Sequence, residues 1–377
     1  MRRPLSLIRP LLLGLVVCAA ASGAQEANTC LKCHLEQDDE TLAKPARLMT
    51  EDIHSRQGLS CADCHGGDPT SDDPDVSMGD AAGFAGAPAR EAVPDFCGRC
   101  HGDAAYIRRY NPALRVDQLA LYWTSVHGQQ LRGKKDLKVA VCADCHGAHG
   151  ILPSNDPRSP VYAANVPRTC ATCHSDAAHM ASYGIPTNQY ERYSHSVHGR
   201  ALLEQGDLGA PACNDCHGTH GATPPGVNSV ANVCGQCHPI NNELVNQSPH
   251  RPAFEKLGIA ACETCHGYHE IQKPSDEMVG GAEPAVCARC HSEEKRPRGW
   301  AGARAIRASL DTLVAARSEA EAVVRRAERA GMEVGDALYK LNEVDGRLTR
   351  ARSFLHRFEP DKVREVSQEG LDLAASA

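Results

Sequence analysis

The segment VCADCHGAHG, residues 141–150, has two cysteines separated by two residues and a histidine directly after the second cysteine. A second histidine follows three residues later. The pattern C-x-x-C-H returns along most of the chain, so whatever it binds decides the fold. The extra histidine needs a separate explanation, because the first already stands next to the cysteine pair.

Almost every cysteine of the chain belongs to this pattern. Of 19 cysteines, only Cys18 stands outside it, near the start of the chain. The other eighteen form nine motifs: Cys30/Cys33/His34, Cys61/Cys64/His65, Cys97/Cys100/His101, Cys142/Cys145/His146, Cys170/Cys173/His174, Cys213/Cys216/His217, Cys234/Cys237/His238, Cys262/Cys265/His266 and Cys287/Cys290/His291.

Three common uses of paired cysteines leave the histidine unexplained. Disulfides need no histidine after each pair. Zinc sites do not require one directly after the second cysteine nine times in succession, and a thioredoxin-like pair needs a βαβ context. Attachment of c-type haem does require it, because two thiols bind the haem covalently and the adjacent histidine becomes the proximal iron ligand. We therefore expect nine covalent haems c.

The composition agrees with a core that is partly made of haem. Leu, Ile, Val and Phe account for 68 of 377 residues, which is about 18 per cent, and chains below roughly 20 per cent tend towards disorder. Nine flat apolar macrocycles would supply the missing core. The predicted fold is mainly α and irregular, a polypeptide wrapped round a chain of covalently bound haems and followed by a C-terminal α-helical hairpin.

The region from about Cys30 to His291 resembles multihaem c-type cytochromes of the periplasmic electron-transfer type, which carry paired C-x-x-C-H motifs. The resemblance implies export, because bacteria attach haem covalently outside the cytoplasm. It also implies redox protein partners, either a membrane oxidoreductase or other cytochromes.

An internal repeat organises the motifs. SVHGQQLRGKKDLKVAVCADCHGAHG (residues 125–150) returns as SVHGRALLEQGDLGAPACNDCHGTHG (196–221) and more loosely as SPHRPAFEKLGIAACETCHGYHE (248–270). Each unit has a leading histidine, a C-x-x-C-H-G-x-H motif and, after a spacer, one more C-x-x-C-H. A degenerate first unit begins at His54 and has Asp68 in place of the second histidine. The array is therefore one leading haem followed by four two-haem modules.

The histidines outside the motifs are candidate distal ligands. Nine irons need at most nine sixth ligands, and ten further histidines are present among 19. His149 would have to pass round the porphyrin edge to reach the iron that His146 binds, so we expect it to bind a neighbouring haem. A solvated histidine is the alternative. The predicted distal ligands are His54, His127, His149, His179, His195, His198, His220, His250 and His269, whereas His356 is as readily a surface residue.

The ends of the chain differ from the haem region. Residues 1–24 carry three arginines, an apolar run and a small-residue end at Ala24, which is typical of a signal peptide. We expect residues 25–298 to form the nonahaem domain and residues 299–377 a helical hairpin that packs on it or on a second subunit, so that oligomerisation through these helices is a further prediction. We also expect a periplasmic or otherwise exported protein without a transmembrane segment in the mature chain.

The charge and the motifs bear on the function. Removal of the three arginines changes the formal charge from −7 to about −10, which disfavours nucleic acid as a partner.

We expect an electron carrier with no catalytic residues. The alternative is a multihaem reductase of a small nitrogen or sulfur oxyanion with one five-coordinate haem. Related nitrite reductases use C-x-x-C-K, which is not present in this sequence. A five-coordinate iron, if there is one, is expected at one of the first three motifs.

Overall fold

The computed structural model describes residues 28–224 and 233–377, and the predicted signal peptide lies outside these ranges. Within them the chain is helical and irregular and has no β-strand. The predicted fold class is confirmed. In the same ranges no helix combines the length and the apolar character that a membrane span requires.

The helices are mostly short and are joined by turns. They span Thr29–Leu35, Glu40–Met49, Ile53–Arg56, Cys61–His65, Pro74–Ser77, Val93–His101, Ala104–Ile107, Gln118–Thr124, Val126–Lys134, Cys142–His146, Val166–His174, Ala177–Met180, Gln189–Ser194, Val197–Leu203, Cys213–His217, Pro239–Asn246, His250–Leu257, Ala261–His266, Pro297–Arg329, Gly335–Phe354 and Pro360–Ser376. Single 3₁₀ turns span Asp80–Ala82, Arg90–Ala92, Ala181–Tyr183, Asp276–Met278, Val286–Arg289 and Leu355–Arg357.

The chain divides into two compact units, which we call the N-terminal unit and the main unit. The N-terminal unit ends at Pro88, and the main unit is Ala89–Ala377. In the N-terminal unit, the helix Thr29–Leu35 packs against the helix Glu40–Met49. Asn28 and Asp39 cap these two helices, because their side chains accept hydrogen bonds from the first turn.

The first motif of each module forms one short helix, and in three of the four modules the aspartate directly before the second cysteine caps its start. The carboxylates of Asp63, Asp144 and Asp215 each accept a hydrogen bond of 2.7 Å from the backbone N–H of the residue that precedes the helix. This half of a capping box satisfies an N–H that the short helix leaves unpaired. Helix capping therefore explains why aspartate precedes the second cysteine in the C-A-D-C-H and C-N-D-C-H motifs.

A glycine directly after the same motif ends each of these helices. Its backbone lies in the left-handed region, which glycine adopts without steric cost. The chain turns away from the helix axis there, so the histidine two residues later does not continue on the helix. The glycines are Gly66, Gly147, Gly218 and Gly267, with φ of 71°, 82°, 87° and 74°.

The repeated S-V-H-G sequence fixes the leading histidine. Ser125 Oγ accepts a hydrogen bond of 3.0 Å from the Gly128 N–H and donates one of 2.6 Å to the carbonyl of Tyr122. A Cβ atom at Gly128 would lie 2.1 Å from that carbonyl oxygen, so only glycine fits. Ser196 and Gly199 repeat this arrangement in the next module. His127 and His198 are thereby held in the first turn of capped helices.

Three helices follow the last module. Pro297–Arg329, Gly335–Phe354 and Pro360–Ser376 pack on one another, and their core includes Leu310, Leu313, Val344 and Val363, each 0 % exposed. The sequence predicted a helical hairpin, whereas a third helix of 17 residues packs against both others. The result is a three-helix bundle.

The bundle is anchored to the last module. The Trp300 indole donates a hydrogen bond of 3.0 Å to the carbonyl of Gly281. Arg352 holds Asp276 through two hydrogen bonds of 2.9 and 2.6 Å, a bidentate arrangement that also fixes orientation. Val279 of the module lies in the core of the bundle. These contacts set the position of the turn Leu355–Arg357.

Candidate haem-ligand sites

Six pairs of histidine rings face each other in the main unit. In every pair one member is the proximal histidine of a motif and the other lies outside the motifs. The pairs, with the distances between ring centres, are His127–His174 at 6.1 Å, His146–His220 at 6.1 Å, His198–His238 at 6.2 Å, His217–His269 at 6.0 Å, His250–His291 at 5.8 Å and His266–His356 at 6.2 Å.

These distances fit two imidazoles on opposite sides of one metal ion. Metal–nitrogen bonds of about 2 Å, with about 1 Å more from each nitrogen to its ring centre, place the two centres roughly 6 Å apart. Aromatic pairs without a metal have ring centres about 4.5–7 Å apart, so the support for a shared metal is that all six pairs fall between 5.8 and 6.2 Å and that each combines a proximal with a non-motif histidine. The gap between the rings therefore has the width that an axial ligand pair needs.

The pairs follow two rules that repeat along the chain. The leading histidine of a module faces the proximal histidine of the second motif in the same module, as His127 faces His174. The histidine of C-H-G-x-H faces the first proximal histidine of the preceding module, as His220 faces His146. We call a histidine of the second kind a reach-back histidine. The extra histidine of the quoted segment, His149, stands at the reach-back position of its module.

Backbone hydrogen bonds hold the last three modules to one another. The N–H of Val126 donates to the carbonyl of Ala222 at 3.0 Å, and that of Val197 donates to the carbonyl of Ile271 at 2.7 Å. Ala222 and Ile271 lie two residues beyond the reach-back histidines His220 and His269. The segment that carries the reach-back histidine is thus fixed to the module that it enters.

His356 is a site residue that sequence reasoning did not select. It lies in the 3₁₀ turn between the second and third helices of the bundle, and its ring faces His266 at 6.2 Å with the ring planes 20° apart. His266 is the first proximal histidine of the last module, so His356 occupies the place of a reach-back histidine where no further module follows. Nearby, Phe358 packs on His250, with ring centres 4.0 Å apart.

Burial favours the metal-binding form of most of the paired imidazoles. Burial lowers the pKa of ten of the twelve and so favours the neutral ring, which is the state that ligates iron. Where Nδ1 contacts a carbonyl, the carbonyl can only accept, so Nδ1 carries the proton and Nε2 is left for the metal. This holds for His217 with Thr223 at 3.1 Å and His356 with Ser353 at 3.0 Å. The ten histidines are His127, His146, His174, His198, His220, His250, His266, His269, His291 and His356.

Two of the predicted distal ligands, His179 and His195, lie away from the facing histidine pairs. His179 is beside the ring of Tyr183 at 6.2 Å, and His195 is exposed at the end of the helix Gln189–Ser194. Among the described residues, neither faces the ring of a proximal histidine. Their role as ligands stays a prediction without geometric support. In the N-terminal unit, His54 Nδ1 contacts the buried carboxylate of Asp52 at 2.9 Å, which orients its ring.

Cysteines of successive motifs are neighbours in space. In the main unit, thiol hydrogen bonds join Cys97 to Cys142, Cys170 to Cys213 and Cys234 to Cys262. Electrostatic interactions link the thiols of Cys145 and Cys170, Cys216 and Cys234, and Cys265 and Cys287. In the N-terminal unit Cys61 interacts with Cys30. Burial raises the pKa of the Cys145 and Cys265 thiols to about 11. The attachment points within each unit therefore follow one another in sequence order.

Six cysteines remain, each the second of its motif: Cys33, Cys64, Cys100, Cys173, Cys237 and Cys290. Three of them, Cys173, Cys237 and Cys290, interact electrostatically with the thiols of Cys145, Cys216 and Cys265. The thiol of Cys100 interacts instead with the hydroxyl of Tyr106. Cys237 and Cys290 are exposed, whereas the other four are partly buried. These interactions do not test the haem attachment predicted at these six positions. That attachment stays a prediction, which rests on the C-x-x-C-H motifs alone.

A family model for cytochrome c3 matches residues 53–175 and 210–292, which together make up more than half of the chain. The chain belongs to the cytochrome c3 family. It is therefore a multihaem c-type cytochrome that transfers electrons. No protein with a curated description and no solved structure matched the chain. The match of this cytochrome c3 family member takes in eight of the nine motifs and leaves out the first, at Cys30.

The residues present fit covalent haem. Each motif supplies two thiols and a proximal histidine, and none of the eighteen motif cysteines, all within the described ranges, is in a disulfide. Six proximal histidines have a second imidazole at the separation that a shared iron requires. When bound, haem supplies one-electron exchange, and the chain's own residues set the axial ligands, the burial and the spacing.

Proposed function

We propose that this cytochrome is an exported nine-haem electron carrier, in which six or more irons are held by two histidines each. It passes electrons between redox protein partners, a membrane oxidoreductase or other cytochromes. The observation that carries the proposal is the set of six facing histidine pairs. Each pair consists of one proximal and one non-motif histidine, as expected if both bind one iron.

Bis-histidine ligation favours a carrier over a catalyst. An iron with imidazole on both faces has no position for a substrate, so the haem exchanges electrons through its edge. Methionine ligation raises the reduction potential, and the six pairs contain only histidine. We therefore expect potentials below those of histidine–methionine cytochromes. The alternative, a reductase of a small oxyanion, has no support from the family match.

The order of the attachment points supports a linear path. Each haem is bonded to its two cysteines through the edge of the ring, so neighbouring cysteines bring neighbouring edges together. The thiol interactions link the motifs in sequence order from Cys97 to Cys287 in the main unit, and Cys30 to Cys61 in the N-terminal unit. We propose that electrons move along each unit in that order, one haem at a time.

The remaining ligand assignments rest on the repeat. His149 occupies a reach-back position and His54 a leading position, so we propose both as distal ligands. Export rests on the arginines, apolar run and small-residue end of residues 1–24. Oligomerisation through the C-terminal helices stays a prediction, because the bundle packs on the last module of its own chain.

Coulometric titration of the mature protein tests this function. A carrier should take up nine electrons per chain over a broad range of potential and release all of them to a small oxidant. It should show no catalytic current with nitrite, hydroxylamine, sulfite or tetrathionate. A sustained current with any of these substrates would replace the carrier with the reductase.

A further inference from the structure

The leading motif stands apart from the four modules. Cys30, Cys33 and His34 precede the first module and lie outside the region that the cytochrome c3 family model matches. Its helix, Thr29–Leu35, belongs to the N-terminal unit. His34 Nδ1 is 3.3 Å from the carbonyl of Leu42, which leaves Nε2 for the iron, as in an ordinary proximal ligand.

The reach-back rule identifies the residue that should cover the other face of this haem. His220 and His269 each reach the first proximal histidine of the preceding module, and His356 takes the same role after the last one. Applied to the leading haem, the rule selects residue 68, in the first module. That residue is aspartate, in C-H-G-G-D, where the other modules have C-H-G-x-H.

The structure places Asp68 beside the leading motif, as the rule requires. Thr29, directly before Cys30, donates its N–H to the carbonyl of Pro69 at 3.0 Å and its hydroxyl to the same carbonyl at 2.7 Å. The hydroxyl of Thr29 also contacts the carbonyl of Ser71 at 2.9 Å. The loop that begins at Asp68 is therefore fixed to the start of the leading haem helix.

The carboxylate of Asp68 is already engaged in its own loop. It accepts hydrogen bonds from the N–H and the hydroxyl of Thr70 at 2.9 and 2.6 Å. These bonds lower the pKa of Asp68, so it is ionised at neutral pH. A carboxylate bound in this way is a poor replacement for imidazole, which is the side chain that suits iron.

No other histidine of the N-terminal unit takes this place by the repeat. The unit contains His34, His54 and His65, and His34 and His65 are the proximal histidines of its two motifs. The leading histidines equivalent to His54 face the second motif of their own module and never the haem that precedes the module.

We propose that the haem attached at Cys30 and Cys33 has no histidine on its distal face, and that its ferrous iron binds a small neutral diatomic ligand there. The negative charge of Asp68 disfavours an anion at the same face. This ligand site adds a second role to a haem that also exchanges electrons with its neighbour at Cys61. The proposal rests on the proposed function in one respect, since it takes the facing histidines to be iron ligands.

Carbon monoxide titration of the dithionite-reduced mature protein provides the test. We expect one carbon monoxide per chain of nine haems. The double variant Cys30→Ala/Cys33→Ala should keep eight haems and bind none. The matched variant Cys287→Ala/Cys290→Ala should also keep eight haems and still bind one. The proposal is overturned if the unmodified protein binds no carbon monoxide, or if the Cys30/Cys33 variant still binds one.

Replacement of Asp68 by histidine tests the rule that selects this residue. The substitution restores C-H-G-x-H, and we expect the high-spin EPR signal of one haem to become low-spin and carbon monoxide binding to be lost. Asp80→His, an exposed control in the same loop, should change neither. An unchanged high-spin signal in Asp68→His would contradict the role given to residue 68. The six facing histidine pairs account for six of the nine haems, so binding of four or more carbon monoxide molecules by the unmodified protein would instead overturn the histidine pairing on which the proposed function rests.

Discussion

Replacing His220 by alanine should open the iron of a haem that is not attached to the motif next to it. The ring of His220 faces His146 at 6.1 Å, with the ring planes 9° apart. The proximal histidine of the adjacent motif, His217, instead faces His269 at 6.0 Å. Alanine has no nitrogen to offer, so the haem at Cys142 and Cys145 would keep His146 alone.

The size of the effect follows from the number of haems. One iron of nine, about 11 per cent of the total, should change from low to high spin, because a five-coordinate haem has a weaker ligand field. EPR spin quantitation measures this fraction directly, and carbon monoxide binding should rise by one molecule per chain. His195→Ala is the matched control, since His195 is exposed and does not face a proximal histidine. It should leave both readings unchanged.

A second variant shows which haem has changed. When Cys142 and Cys145 are replaced by alanine, the haem opened by His220→Ala is removed, so the combined variant should show no additional high-spin iron. When Cys213 and Cys216 are replaced instead, the additional signal should remain. The opposite pattern would mean that His220 acts on the haem of its own motif, and it would refute the reach-back reasoning.

The other predictions concern the C-terminal bundle and the maturation of the chain. His356→Ala should add one high-spin, carbon monoxide-binding haem in the last module, measured by EPR against His195→Ala. Leu313→Ala should lower the free energy of unfolding by about 2–5 kcal/mol, because Leu313 is fully buried in the bundle core. Val323→Ala, at a side chain that is 48 % exposed, should change it by less than about 0.5 kcal/mol in chemical denaturation. Intact mass should give nine haems on a chain that starts at Gln25.

The sequence predicts most of the proposed haem ligands because they are encoded locally. The C-x-x-C-H helix, the aspartate that caps it and the glycine that ends it lie within a few residues of one another. The S-V-H-G sequence likewise positions His127 and His198 within one turn, through the serine cap and the close approach that only glycine permits. The placement of His220 and His269 opposite neighbouring motifs agrees with the sequence argument that a porphyrin edge blocks the nearer iron.

The remaining features depend on contacts between distant residues. His356 has no motif around it, and only the docking of the bundle through Arg352 and Trp300 brings it opposite His266. The sequence nevertheless contains a signal for His356. His266 belongs to the last module of the array, so its distal histidine has to come from outside the modules. The order of the haems follows from thiol contacts between motifs, such as Cys97 with Cys142, which no local pattern encodes. The length of the third helix depends on its packing against both others, including the close approach of Gly370 to Leu313.

The central claim is that the facing histidines bind the same iron from both sides. EPR of the fully oxidised mature protein, integrated by spin state, tests this most directly. The structure predicts low-spin bis-histidine signals from at least six of the nine irons, one for each facing pair. Fewer than six low-spin irons in a protein that carries all nine haems would contradict it.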